Sequence, residues 1–194
     1  KLGLFRGTAG GFELERRPTR AEGAVMLVRL LGKEREAAEA ALTHPFSDVP
    51  AWADPYVGYL FRHGLTSGIS ADRYGSELLL SAAQYGTFIL RALGYDDRIG
   101  DFQWDKSLEK LAELGIVSGA QRDELSEGAF LRGHVALLSY RALDARLKEA
   151  GKTLREQLAE DGAFAQDGAA AEETVRRKRM PRRRKTSRLR RARR

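Results

Sequence analysis

The side chains best suited to chemistry in this chain are its three histidines and its arginines, and they point in different directions. His44, His63 and His134 lack metal-ligand spacing, so packing or surface roles suit them better than metal binding or catalysis. The G-x-S-x-G elbow, the Walker P-loop and H-E-x-x-H are all absent. Gly7-Thr8-Ala9-Gly10-Gly11 is Gly-rich but lacks the Lys of a phosphate loop, and reads as a flexible turn. There is no Cys, hence no disulfide framework and no thiolate metal site. No catalytic residue, metal or cofactor is expected. What remains is anion chemistry. The chain carries 34 Lys+Arg against 27 Asp+Glu, and 13 of the basic residues fall between Arg176 and Arg194 with no acid among them. Such a run pairs with polyanions: nucleic acid through counterion release, or anionic wall polymer and lipid headgroups.

Taking those 13 away leaves 21 basic residues against 27 acidic, so residues 1–175 form an acidic body of net charge −6. The pI of 9.9 describes mainly the tail, and gives no reason to expect nucleic acid on the body. A length of 194 residues with 42% hydrophobic side chains suits one domain or a few small modules. The longest apolar stretch, near Ala24 to Leu31, is broken by Arg29 and is far short of the roughly 18 to 20 residues a bilayer requires, so no transmembrane segment is expected. The start, Lys1-Leu2-Gly3-Leu4-Phe5, has neither Met nor a visible signal peptide, and a longer N-terminus is expected.

One phrase occurs three times. Leu2-Gly3-Leu4-Phe5-Arg6-Gly7 returns as His63-Gly64-Leu65-Thr66-Ser67-Gly68 and as Leu114-Gly115-Ile116-Val117-Ser118-Gly119. Each is followed by an apolar segment ending Arg29-Leu30-Leu31, Arg91-Ala92-Leu93 or Arg141-Ala142-Leu143. Ala21, Ala24, Val25, Val28 and Leu31 recur at helical spacing and predict one buried stripe. Thr19-Arg20-Ala21-Glu22 and Ser81-Ala82-Ala83-Gln84 fit capping boxes, with Leu80 and Tyr85 as a hydrophobic staple and Gly32 and Gly94 as helix ends. Leu131-Arg132-Gly133-His134 has lost the cap, and its helix is expected to run through Asp144 and Leu147 to Gly151. Asp54-Pro55 should cap and start a helix that stops at Gly64, with Trp104 to Leu114 as its counterpart. The body is therefore expected to be all-α, helix pairs packing around a shared core.

Together with Phe46-Ser47-Asp48-Val49, Trp52-Ala53, Gly64-Leu65 and Gly68, these motifs resemble S-layer homology (SLH) modules over roughly residues 2–150. The resemblance implies a pseudo-threefold spindle of tandem helix-loop-helix modules with grooves between them. The grooves would bind a secondary cell-wall polysaccharide attached to peptidoglycan, an anionic polymer whose terminal sugar commonly carries a pyruvate ketal. It also implies a secreted protein at the bacterial cell surface or wall. A guanidinium suits such a carboxylate, and an aromatic face suits a sugar ring. On this basis Arg20 and Arg132 match the basic position, and Asp48, Trp52, Gly64 and Gly68 match the sugar-binding loop. Trp104 is a looser counterpart in Asp101-Phe102-Gln103-Trp104. Ala82 stands where an arginine belongs, so a groove relying on it should be inactive.

The expected organisation is a partial first module over 1–32, a linker over 33–45, a second module over 46–95 and a divergent third over 101–150. A helix end and linker follow over 151–175, then a disordered Arg-rich tail over 176–194. Other readings of single residues stay open. The cap accounts for Thr19 and Glu22 but not for Arg20, which is either a groove ligand or a solvated charge. Trp52 suits a groove wall as well as a stacking platform, and Asp48 suits a turn cap as well as a sugar contact. The tail is either a polyanion-binding segment or the product of a shifted reading frame. Two rival functions also stand: nucleic-acid binding through the tail, and the anchoring region of a larger surface enzyme.

Overall fold

The computed structural model describes residues 11–163; the Gly-rich turn up to Gly10 and the Arg-rich tail lie outside the described residues. Eight α-helices carry the fold: α1 (Arg20–Leu30), α2 (Glu34–Ala40), α3 (Asp54–Arg62), α4 (Ala82–Ala92), α5 (Ser107–Glu113), α6 (Gly119–Glu127), α7 (Arg132–Ala142) and α8 (Leu154–Glu160). Short 3-10 turns at Asp97–Ile99 and Trp104–Lys106 precede α5. The described residues form no sheet, only isolated bridges between Thr19 and Leu79 and between Arg146 and Thr153. The fold is all-α, as expected.

The capping boxes set where α1 and α4 begin. The Thr19 hydroxyl accepts from the Glu22 amide while the Glu22 carboxylate accepts from the Thr19 amide, and Ser81 and Gln84 repeat the exchange. Gly32 and Gly94 end the two helices with φ of +66° and +90°, a conformation that costs glycine little. The three eleven-residue helices α1, α4 and α7 touch pairwise and form the centre. The α3 helix flanks α1, and α5 flanks α4. Nine of the eleven α1 residues are buried, so α1 is a central helix enclosed on nearly all sides, beyond the single stripe that its spacing predicted. Close approaches fix the packing. Leu80 fills the space a Cβ on Gly23 would take, and Ser107 crowds Gly86 so that a Cβ there would lie 2.8 Å from its hydroxyl.

Several expectations are corrected. The α7 helix stops at Ala142 and does not continue to Gly151, because the chain turns back: the Leu147 amide donates to Lys152 and the Lys148 amide to Leu93. Within 151–175, expected to be a helix end and linker, α8 forms behind a Thr153/Glu156 capping box and buries Leu154 and Leu158. Within 33–45, α2 forms and buries Ala37. The α6 helix, also unexpected, starts from a Ser118/Gln121 box. Asp54 is the first residue of α3 and not its cap; it faces the His44 Nε2 at 3.2 Å. The loss of a side-chain cap at Leu131 holds. Instead, the first two amides of α7, those of Arg132 and Gly133, donate to the carbonyls of Arg16 and Leu14, both at 2.9 Å.

Candidate functional site

Arg20, the first residue of α1, enters the body of the protein as a cation. Its amide donates to the Leu78 carbonyl at 2.8 Å and the next amide, of Ala21, to Ser76 at 3.1 Å. These bonds pin the α1 start against the segment leading into α4. The side chain is only 6% exposed. One guanidinium nitrogen donates to the Ser67 carbonyl at 2.7 Å, and the group lies 4.8 Å above the Tyr74 ring and 5.6 Å from that of Phe88. Among the described residues Nε has no hydrogen-bond partner and no carboxylate pairs with the group. Burial lowers its pKa most; the Tyr74 ring acts in the opposite sense and nearby Arg91 adds to the lowering. Arginine stays protonated regardless, so this is a buried, under-satisfied positive charge.

It faces a cleft of about 420 Å³. It is lined by the Ser67-Gly68-Ile69 turn, by the α4 face bearing Gln84, Thr87, Phe88 and Arg91, and by Asp97 and Trp104. Arg91 adds little net charge, since Asp97 grips it through two bonds of 2.7 and 2.9 Å. Trp104, 57% exposed, also lines the cleft, and its carbonyl accepts from the Thr87 hydroxyl at 3.2 Å. A Cβ on Gly68 would collide with the carbonyls of Ser70 and Arg73. Cation, aromatic wall and hydroxyls together suit the carboxylate of a sugar acid or ketal.

Of the residues singled out from the sequence, the cleft brings together Arg20, Gly68 and Trp104. Asp48 lies behind it: its two oxygens accept from the amides of Tyr74 at 2.6 Å and Gly75 at 2.8 Å. Burial works to raise its pKa, and those amides with that of Ser76 outweigh it, holding the carboxyl below its usual value. Asp48 thus clamps the loop that carries Tyr74 beneath Arg20. Trp52, half exposed before α3, and Gly64, which ends α3 with φ of +69°, do not line the cleft. Arg132 stands apart, donating to the Phe12 carbonyl at 3.2 Å and facing Glu22 at 3.5 Å. Around Ala82 a second cleft of about 580 Å³ has Leu108, Leu125 and Phe130 among its lining residues, and no buried arginine opens into it. Sequence reasoning missed Arg91, Asp97 and the Ser67 carbonyl. In the sequence Arg91 marks only a matched helix end, and Gln84 only a cap.

The histidines are engaged locally. The Nδ1 atoms of His44 and His134 accept from the amides of Phe46 and Leu131, and His63 lies against Tyr59. Among the described residues no group of three His, Cys, Asp or Glu is placed to hold a metal, and no helix is long and apolar enough to cross a membrane.

No family model matches the chain. It is 32% identical over 137 residues to a cell surface protein of Thermoanaerobacter kivui, covering 69% of this chain and 17% of that one. A middle cell wall protein of Brevibacillus brevis is 26% identical, covering 82% of this chain and 16% of its own length. A surface layer protein of Brevibacillus choshinensis is 28% identical, with shares of 66% and 12%. The chain spans less than a fifth of the length of these relatives. Their names are those of surface and wall proteins, and none names an enzyme.

Proposed function

We propose that the chain acts at the bacterial cell surface as a non-catalytic wall-binding unit, and that its Arg20 cleft holds the acidic end of a secondary cell-wall polysaccharide. One observation carries this reading: among the described residues Arg20 is buried without a carboxylate partner and with its Nε unpaired, in the lining of a cleft that also has the exposed Trp104. A protein tolerates such an arrangement at a cost in stability, and a ligand carboxylate would offset that cost. The surface and wall names of the relatives support the setting.

In this reading residues 1–32, 46–95 and 101–150 are modules of the SLH type. The matched docking of the first amides of α1 and α7 supports it: Arg20 and Ala21 bond to Leu78 and Ser76, and Arg132 and Gly133 to Arg16 and Leu14, an offset of 62 residues in the acceptors in both cases. The pyruvate ketal is the acidic group such a cleft would take, its carboxylate on Arg20 and its sugar ring against Trp104. The test is co-sedimentation of the full chain with purified wall sacculi before and after the secondary polymer is stripped, with an Arg20→Met variant alongside. Binding should vanish on stripping and fall in the variant. Equal binding to both preparations would sink the proposal. It would leave adhesion through the basic tail, which Arg20→Met does not touch.

A further inference from the structure

Arg20 and Arg132 occupy the same place in their helices, and among the described residues a carboxylate faces Arg132 but not Arg20. Both are the first residue of an eleven-residue helix. Both helices dock by two backbone amides onto the segment leading into a neighbouring helix, at identical register. The acceptors Leu78 and Ser76 lie three and five residues before the cap Ser81, and Arg16 and Leu14 lie three and five residues before the cap Thr19. The residue three past that cap therefore stands in the same relation to the arginine in each case. For Arg132 it is Glu22, which faces it at 3.5 Å and is shared with Arg16, the carboxylate's closer partner. For Arg20 it is Gln84, which lines the same cleft and is not charged.

Both side chains do their capping duty. The Gln84 Oε1 accepts from the Ser81 amide at 3.1 Å, as a Glu22 carboxylate oxygen accepts from Thr19 at 2.8 Å. Glutamine thus completes the α4 start without delivering a negative charge. The cleft's other cation, Arg91, is already matched by Asp97. The net positive charge of the cleft then depends on Gln84 staying an amide.

We propose that Gln84 is the specificity-determining residue of the cleft: it caps α4 while leaving Arg20 without a counter-charge, and so reserves that guanidinium for an anionic ligand. A glutamate at this position would be a built-in competitor for the ligand's carboxylate. The proposal rests on the reading that the cleft binds a glycan carboxylate, and extends it from the cation to the residue that keeps the cation available.

The experiment compares the full-length wild type with Gln84→Glu, Gln84→Ala and Arg20→Met. Calorimetric titration uses a hexoside bearing a pyruvate ketal as the probe, and thermal unfolding is measured in parallel. Gln84→Glu should lose affinity by about tenfold or more while folding at least as stably as the wild type. Gln84→Ala, which removes half of the cap but adds no charge, should unfold at a lower temperature and lose clearly less affinity than Gln84→Glu. Equal loss in both Gln84 variants would overturn the proposal, since the amide would then be a direct contact. Wild-type affinity in Gln84→Glu would overturn it too. A thermal double-mutant cycle separates this outcome from failure of the glycan reading. Coupling between Arg20 and the new carboxylate supports the charge argument whether or not the probe binds, and zero coupling overturns it. Binding unchanged in Arg20→Met would instead overturn the glycan reading.

Discussion

The hydroxyls of Tyr85 on α4 and Ser139 on α7 lie 2.7 Å apart, and both residues are closed off from solvent. The pair joins two of the central helices across the core, and burial raises the Tyr85 pKa strongly against the hydrogen bond's opposing effect. Tyr85→Phe keeps the ring and strands the Ser139 hydroxyl, so it should cost about 1–3 kcal/mol. Adding Ser139→Ala should recover part of that loss. Urea unfolding of the two single variants and the double variant checks this, and simple additivity would show that the pair is not coupled.

Arg20→Met should leave thermal stability unchanged or raise it. The guanidinium is 6% exposed, with one nitrogen unpaired and no carboxylate, and an apolar chain of similar volume between Tyr74 and Phe88 escapes its desolvation. A loss greater than about 2 kcal/mol in chemical denaturation would mark Arg20 as a structural cation, held by its ring contacts and the Ser67 carbonyl.

Asp48 and Glu22 should shape the acid limb of stability. Burial works to raise each pKa, but amide bonds outweigh it at Asp48, and Arg16, the Thr19 amide and Arg132 outweigh it at Glu22. Both folded-state values thus fall below the unfolded ones. Their stabilisation is complete above the unfolded values of about 3.9 and 4.3, and is lost as pH falls through the lower folded values. Asp48→Asn and Glu22→Gln should each lower the melting temperature at neutral pH and flatten its fall below about pH 4. Parallel curves for wild type and variants would contradict this.

Gly68→Ala should destabilise the protein by about 1–3 kcal/mol and disturb the cleft together, because the added methyl meets the Ser70 and Arg73 carbonyls and the Phe46 ring. Gly119→Ala, at a position with nothing within 4 Å of an added Cβ, is the matched control and should be neutral or mildly stabilising. Thermal melts of the two variants decide it.

Ser118→Ala should cost about 1 kcal/mol, the usual loss of a helix cap. Its hydroxyl accepts from the Gln121 amide at 3.3 Å and starts a helix whose only buried side chain is Leu125. Amide exchange in α6 should quicken more than in α4, whose packing supports it independently of Ser81.

The sequence was legible where a cap preceded a dense apolar run, as at Thr19 before α1 and Ser81 before α4. The same S/T-x-x-E/Q pattern opens α6 at Ser118 and α8 at Thr153, but those helices bury one and two residues, too few to show a period. The α2 helix buries only Ala37 and lacks a side-chain cap. At the site, the arginine side chain of Arg20 was legible and its isolation was not. Whether a carboxylate faces an arginine depends on residues far along the chain, as Glu22 does for Arg132. No local pattern around Arg20 or Arg132 carries that information. From the sequence Asp48 suits a turn cap as well as a sugar contact. Only the fold shows both its oxygens taken by amides 26 and 27 residues away.

The seating of residues 12–16 on the start of α7 makes the described chain a closed circuit. Leu131 offers no side-chain cap, so the first turn of α7 is finished by carbonyls from Leu14 and Arg16, and Phe12 holds Arg132 across a separation of 120 residues. In an open array of repeats each unit leans only on its neighbours, and an end can be removed at the cost of one interface. Here the earliest described segment and the third central helix complete each other. The helix emerging last among the three depends on the stretch synthesised before all of them, so folding must close this long loop before either end is secure.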